Sequence, residues 1–155
     1  MRVNLFVCRN GSNRPTMQNQ INTQIAKAIL GKRVLIVEDE AFVALDLKVA
    51  LESYGVHVIG PIATLEDALT AVAQDDFDVA VVDVDLQGQD SFPAADILLA
   101  KGTPFVWHTG AAELDNFGND YPDVPVLEKP TRADDIITVL AKLATTGDDA
   151  DAGDV

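Results

Sequence analysis

Short apolar runs, each closed by polar or turn-forming residues, recur along the middle of the chain. Their length and unbroken apolar character are typical of buried parallel strands. Five runs predict strands, at 34–37, 56–59, 77–82, 104–108 and 124–127. Apolar residues at helical spacing follow these runs and predict helices over 41–53, from 64 onward, and over 91–100 and about 132–145. Alternating strands and helices predict an α/β fold: a five-stranded parallel sheet with helices on both faces.

One predicted helix is weak. The segment between Gly110 and Asp123 has few apolar residues and contains Gly, Asn and Pro. We therefore expect the fourth helix after a strand to be short or disordered. The helix over 41–53 is better defined, and helical spacing gives it an apolar face of Phe42, Leu45, Val49 and Leu51.

The ends of the chain differ from its middle. Residues 1–31 predict an N-terminal arm with a possible short helix over 17–30, and Met17 is a second candidate start of the chain. Residues 32–146 contain the strand-helix repeats and predict one domain. Residues 147–155, GDDADAGDV, have nothing apolar to bury and predict a disordered acidic tail.

Charge narrows the classes of function. The chain of 155 residues has a net charge of −14, and residues 34–155 contain all 25 acids but only five of the 11 basic residues. Such a body repels nucleic acid, so a nucleic-acid partner is not expected. No apolar run is long enough to cross a membrane. The single cysteine, Cys8, excludes an internal disulfide framework and favours a reducing, cytoplasmic location.

Polar side chains mark the ends of the predicted strands. Glu38 and Asp39 follow the first strand and Asp83 the third, while Thr109 and Lys129 follow the fourth and fifth. The carboxyl ends of parallel strands share one edge of a sheet, so these five side chains can converge there. The spacing alone does not exclude that Asp83 only caps a turn.

Three carboxylates in one place repel each other. Two unit charges 4 Å apart cost about 4 kcal/mol at an effective dielectric constant of about 20. A hard divalent cation bound through oxygens relieves this repulsion, and Mg²⁺ suits a site that also receives a phosphate. The Lys129 ammonium and Thr109 hydroxyl could then contact phosphoryl oxygens.

The same residues carry a resemblance to a known family. In its order of motifs, the chain over about 32–146 resembles the receiver domain of bacterial response regulators, which has a chemotaxis-type, flavodoxin-like fold. The matching motifs are VLIVEDE (34–40), VVDVDLQGQD (81–90), WHTGA (107–111) and LEKP (127–130). The resemblance implies the strand order 2-1-3-4-5.

The resemblance also implies a role for each site residue. Asp83 is similar to the phospho-acceptor, and Asp39 and Asp83 to direct Mg²⁺ ligands, with the backbone carbonyl of Asp85 as a third. Glu38 is similar to the acid that orients a metal-bound water. Thr109 is similar to the switch hydroxyl and Lys129 to the phosphate-binding lysine.

Several positions depart from the usual receiver pattern, Gln87 and Ser91 among them. Val126 stands where many receivers have an aromatic switch residue. The run PFVWHTG (104–110) resembles a subgroup whose fourth strand reads Pro-Phe-x-Phe-Ala-Thr-Gly, with Trp107-His108 in place of Phe-Ala. Because strand side chains alternate, His108 is expected to point away from the Thr109 face, as a packed residue and not a catalyst.

The resemblance implies a single-domain response regulator that accepts a phosphoryl group on Asp83 from a sensor histidine kinase or a phosphotransfer protein. It would catalyse its own phosphorylation and dephosphorylation without being an enzyme in the ordinary sense. Output would come through a downstream protein partner or a phosphorelay. The sequence leaves open whether two copies form a homodimer.

Two alternatives remain at this point. The Asp83-Val84-Asp85 pair also fits a haloacid-dehalogenase-type aspartyl phosphatase, although Gln87 and the absence of a second acidic pair at a strand end after Lys129 disfavour it. The second alternative is a degenerate receiver that serves only as a binding scaffold.

Overall fold

The computed structural model describes residues 16–74, 76–116 and 120–148. Seven strands are present in these ranges: β1 (Arg33–Val37), β2 (His57–Ile62), β3 (Val79–Val82), β4 (Asp85–Leu86), β5 (Gln89–Asp90), β6 (Phe105–Thr109) and β7 (Val126–Glu128). The helices are α1 (Met17–Ile29), α2 (Ala41–Ser53), α3 (Leu65–Gln74), α4 (Phe92–Lys101) and α5 (Ala133–Asp148), with a 3₁₀ helix at Ala111–Asn116.

Five parallel strands form the main sheet in the order β2-β1-β3-β6-β7. They are the five predicted strands, so the predicted order 2-1-3-4-5 is confirmed. The remaining two, β4 and β5, form a two-residue antiparallel hairpin just after β3. The chain adds β2 on one side of β1 and then crosses to add β3 on the other side, so the strand order reverses between β1 and β3. The carboxyl ends of these two strands therefore border the crevice where such folds bind ligands.

Two apolar layers enclose the sheet. One face packs against α3 and α4, with Leu35, Val37 and Trp107 among its fully buried side chains. The opposite face packs against α1, α2 and α5, with Ile36 and Val106 in its core. Each strand contributes alternate residues to the two layers, as the two-residue period of a strand requires.

The apolar face predicted for α2 is wrong in three of its four positions. Leu51 is fully buried, but Phe42 is 90% exposed, and Leu45 and Val49 are also exposed. The buried face consists of Ala44, Leu47 and Leu51. The sequence AFVALDLKVALES offers apolar residues on more than one side of a helix, so the spacing did not identify the buried side.

The predicted N-terminal helix is present as α1, and it packs against α5. Its inner side is Ile29, fully buried, with Ile25 and Ala28 partly buried, whereas Ile21 is 43% exposed. The helical stripe therefore lies on the domain itself.

The weak fourth helix is short, as predicted: a 3₁₀ helix covers Ala111–Asn116. α5 extends to Asp148, beyond the predicted end, and residues 149–155 of the predicted acidic tail lie outside the described residues, as do residues 1–15 of the predicted arm. Within the described ranges no helix has the length and hydrophobicity to cross a membrane.

Candidate functional site

The acids of the first and third strands meet at the carboxyl edge of the sheet. β1 and β3 are hydrogen-bonded neighbours in register from Val34 and Val79 to Val37 and Val82. Both strands end together, so Glu38 and Asp83 emerge side by side, 3% and 5% exposed. Fully buried apolar strands thus carry two carboxylates to a place where little water reaches them.

Lys129 connects these acids. It follows β7, and its Nζ lies 2.7 Å from Asp83 Oδ2 and 2.8 Å from Glu38 Oε2. The same ammonium contacts Glu40 Oε1 at 2.9 Å. One cation therefore neutralises part of the charge of three carboxylates, and the lysine side chain is itself mostly buried.

Burial and mutual repulsion change the acidity of the site. Burial and, to a smaller extent, the neighbouring Glu38 act against Lys129 and together raise the pKa of Asp83 to about 6. For Glu38, burial also acts to raise the pKa, but contacts with His108, Lys129 and the Glu40 backbone N–H together lower it. The Lys129 pKa rises despite burial, because Asp83 and Glu38 accept hydrogen bonds from its ammonium group and so stabilise the charged form. Of the two buried carboxylates, Asp83 is thus more readily protonated than Glu38.

A tight hairpin holds the remaining acids. Gln87 and Gly88 have φ values of 56° and 83°, as the two central residues of a type I′ hairpin turn require. In this turn the Gln87 N–H donates to Asp39 Oδ2 (2.9 Å) and the Gly88 N–H donates to Asp85 Oδ1 (2.7 Å). The hairpin therefore fixes Asp39 beside the site.

The cluster suits a hard divalent cation. Glu38, Asp39 and Asp83 each offer a carboxylate oxygen, and these atoms lie within 4.8 Å of one another. All three donors are oxygens, which Mg²⁺ and Ca²⁺ prefer, and one ammonium does not balance three nearby carboxylates. The residues present fit a bound cation, with Asp85 lining the same cleft.

Thr109 is not among the residues that converge. It ends β6 and is fully buried, on the same side of the strand as Trp107. Its hydroxyl has no hydrogen-bond partner in the described part of the chain. The structure thus joins Glu38, Asp39, Asp83 and Lys129, whereas Thr109, the predicted switch residue, is not among the residues that line their cleft.

Sequence reasoning assigned no role to two residues that the structure places in the site. Glu40 contacts Lys129, and its position directly after Glu38-Asp39 was the available signal. His108 was predicted to be a packed residue facing away from Thr109. It does lie on the opposite side, where it is 3% exposed and its Nδ1 is 3.8 Å from Glu38 Oε2.

These groups line one cleft. It has a volume of about 670 Å³ and lies between α2, the strand ends and the start of α5. Gly110 and Glu113 border it on the side of the 3₁₀ helix, and a Cβ at Gly110 would lie 2.8 Å from Glu113 Oε2. The cleft is acidic, with Lys129 as its only cation among the described residues.

Comparisons with known proteins agree with this geometry. The family model described as the response regulator receiver domain matches residues 34–141. The transcriptional regulatory protein TcrA of Mycobacterium tuberculosis is 34% identical over 128 residues, which are 77% of this chain and 48% of TcrA. PdtaR, a transcriptional regulatory protein of the same species, is 28% identical over 121 residues, covering 76% of this chain and 59% of PdtaR. The chain thus spans about half the length of the curated relatives it matches.

A solved structure is similar over nearly its whole length. The solution structure of SdrG from Sphingomonas melonis Fr1 matches with a TM-score of 0.64 and 37% identity. The match covers 75% of this chain and 97% of SdrG.

Proposed function

The chain belongs to the response regulator receiver domain family, and from this premise we propose that Asp83 accepts a phosphoryl group from a histidine kinase or a phosphotransfer protein. The observation that carries the proposal is the position of Asp83. It lies buried at the carboxyl edge of the sheet, 2.7 Å from the Lys129 ammonium and beside Glu38 and Asp39. These are the groups that an incoming phosphoryl group needs.

Phosphoryl transfer depends mainly on positioning and on charge neutralisation. A carboxylate oxygen of Asp83 attacks phosphorus, a P–O bond forms, and the bond from phosphorus to the donor's nitrogen or oxygen breaks. Lys129, already at Asp83, donates hydrogen bonds to a phosphoryl oxygen. Mg²⁺ held by Asp39 and Asp83, with Glu38 beside them, would neutralise charge on the phosphoryl oxygens.

The reset follows from the same geometry. Water attacks the acyl phosphate, inorganic phosphate leaves, and the Asp83 carboxylate is restored. The protein is then a substrate of its own chemistry and not a multiple-turnover enzyme. Membership in the receiver family also removes the reason to prefer a haloacid-dehalogenase-type phosphatase, since the acids that support Asp83 precede it in the chain.

A partner must reach Asp83 from outside, and α2 offers a surface for it. Phe42, Leu45 and Val49 are exposed on one side of this helix, 90%, 57% and 58% respectively. They follow Glu38 and Asp39 directly, so the apolar stripe starts at the mouth of the cleft. Large exposed apolar side chains grouped in this way are typical of protein interfaces, and a helical partner fits such a stripe.

The phosphoryl group adds about −1.5 to −2 charges at the sheet edge. The Thr109 hydroxyl, buried and unpaired within the described residues, would then have a partner, and β6 with the 3₁₀ helix would shift towards it. Output is proposed to come through contacts with another protein. A strongly acidic, single-cysteine chain fits a cytoplasmic protein that does not bind nucleic acid.

Incubation with acetyl phosphate and Mg²⁺ tests the proposal. Intact mass spectrometry should detect one added phosphoryl group on the wild-type protein and none on the Asp83→Asn variant. Asp78→Asn is the matched control, because Asp78 precedes β3 at the opposite end of the same strand. Equal phosphorylation of Asp83→Asn would refute the assignment, and multiple turnover on small phosphomonoesters would favour the phosphatase alternative.

A further inference from the structure

His108 is a buried polar side chain without a hydrogen bond. It is 3% exposed, and neither ring nitrogen has a hydrogen-bond partner within the part of the chain that the structure describes. Leaving a buried donor or acceptor unpaired costs about 1–3 kcal/mol. An apolar residue would avoid this cost, and the neighbouring inward positions of the strand are apolar, such as Val106. Packing alone therefore does not explain a histidine here.

The nearest charged group explains it better. His108 Nδ1 lies 3.8 Å from Glu38 Oε2, an oxygen that Lys129 Nζ contacts at 2.8 Å. A distance of 3.8 Å is longer than a hydrogen bond but requires only a small side-chain rotation to become one. His108 thus stands next to Glu38 and lines the same cleft.

Lys129 cannot fully serve both the buried carboxylates and a phosphoryl group on Asp83. In this structure its ammonium contacts Glu38, Glu40 and Asp83. A phosphoryl group on Asp83 would attract the ammonium, and Glu38 would then be a buried carboxylate with a weaker partner. An uncompensated buried charge is strongly unfavourable, so Glu38 needs a second side-chain donor at that moment.

We propose that His108 is a positioning residue that holds the Glu38 carboxylate when Lys129 turns to the phosphoryl group. The Nδ1–H of the imidazole donates to Glu38 Oε2, which frees the ammonium without leaving Glu38 unpaired. The proposal rests on the proposed function for its timing, but the contact between His108 and Glu38 can be tested without any phosphoryl group.

Two substitutions separate a positioning role from packing. His108→Leu replaces the imidazole by an apolar side chain of similar size and removes the hydrogen-bond donor. His108→Asn places an amide N–H close to the position of Nδ1. The matched control is Val106→Ala, on the same strand and the same face, two residues from His108.

The first measurement is phosphorylation by acetyl phosphate together with Mg²⁺ binding by calorimetry. Removal of groups that orient metal ligands lowers metal affinity about 10- to 100-fold. We expect His108→Leu to lower the Mg²⁺ affinity by an amount near the lower end of this range and to slow phosphorylation. Its free energy of unfolding should be unchanged or higher. His108→Asn should recover most of both losses. Val106→Ala should lose stability and keep both activities.

The second measurement is a double-mutant cycle on urea unfolding without Mg²⁺ or phosphoryl donor. In Lys129→Met, His108 is the remaining side-chain donor near Glu38 in the described structure. His108→Leu should then lower the folding equilibrium constant about ten-fold in the Lys129→Met background, and not in the wild type.

The outcomes separate the two hypotheses. If the wild-type protein takes up no phosphoryl group, the proposed function fails, and the double-mutant cycle still decides the role of His108. Additive substitutions in the cycle overturn the positioning role. So does a His108→Leu variant with wild-type Mg²⁺ affinity and phosphorylation rate, or a His108→Asn variant as impaired as His108→Leu.

Discussion

Asp83 combines two properties that oppose each other. Its burial among carboxylates raises its pKa to about 6, which makes the ionised form costly in the folded protein. The ionised form is nevertheless the one that can attack phosphorus. Lys129 lowers the cost without removing it, because it is shared with Glu38 and Glu40. The folded protein therefore keeps a carboxylate that is destabilised, and a cation or a phosphoryl group relieves it.

The stability of Asp83→Asn should show this cost. A carboxyl group whose folded pKa is raised above its unfolded value of 3.8 loses stability as pH rises through the interval from 3.8 to about 6. At pH 7 the neutral amide should raise the free energy of unfolding by about 1–2 kcal/mol. The whole shift corresponds to about 3 kcal/mol, and loss of the Lys129 contact reduces it.

Urea unfolding at pH 7 and pH 4 provides the measurement. The gain of Asp83→Asn over the wild type should shrink at the lower pH, where the Asp83 carboxyl is protonated in the folded state and partly protonated in the unfolded state. A variant that is less stable than the wild type at pH 7 would contradict the sign.

Residue types at strand ends predicted four of the side chains that meet. Glu38, Asp39, Asp83 and Lys129 converge because parallel strands end at one edge, and the sequence shows where each strand ends. The direction of Thr109 and the contact between His108 and Glu38 depend on side-chain conformation and on the depth of the strand ends. A linear pattern does not contain that information.

At the scale of elements, the two faces of the sheet have different tasks. The face under α2 and α5 carries the site, whereas the other carries an aromatic group in which Tyr121 stacks on Phe92 and contacts Trp107, with ring centroids 5.6 and 5.3 Å apart. The Tyr121 hydroxyl donates to Asp96 Oδ1 (2.8 Å), which ties the segment before β7 to α4. The short continuous apolar runs predicted the sheet correctly. The α2 pattern did not predict its buried face, because its apolar residues extend beyond one stripe.

The exposed side of α2 should matter for a protein donor and not for a small one. Phe42→Ala should change the free energy of unfolding by less than about 0.5 kcal/mol, since the side chain is 90% exposed. Phosphorylation by acetyl phosphate should stay at the wild-type rate. Transfer from a histidine kinase that phosphorylates the wild-type protein should fall about ten-fold, because a central apolar contact is lost.

Radiolabelled phosphotransfer and acetyl phosphate assays on the same samples make this comparison. Leu99→Ala is the matched control, an exposed apolar residue on α4, away from the cleft. Equal losses in both variants would place the kinase surface elsewhere.

The whole molecule carries a net charge of −14, and six acidic side chains line the cleft together with Lys129. Self-repulsion of this size lowers the stability of the compact state and is screened by salt. A cation bound at Glu38, Asp39 and Asp83 would act more locally and more strongly. Composition predicted the general repulsion, and the positions of Glu38, Asp39 and Asp83 at strand ends predicted the site that concentrates it.

Thermal unfolding separates these two effects. Mg²⁺ should raise the Tm of the wild-type protein above the value reached with NaCl at equal ionic strength, because ligand binding to the folded state adds stability. In Asp39→Asn the Mg²⁺ and NaCl curves should coincide. The same stabilisation by both salts in the wild type would show screening alone and no specific site.

The end of β6 has a consequence for how a signal divides. His108 belongs to the layer of α2 and α5, and Thr109, the next residue, belongs to the layer of α3 and α4. If the end of β6 moved, the adjacent side chains of His108 and Thr109 would carry that movement to both sides of the sheet at once. Deleting one residue upstream in β6 would exchange the sides of the sheet that His108 and Thr109 face, whereas deleting two residues would restore them. Whether a residue of this strand has an odd or an even number thus decides which side of the sheet its displacement affects.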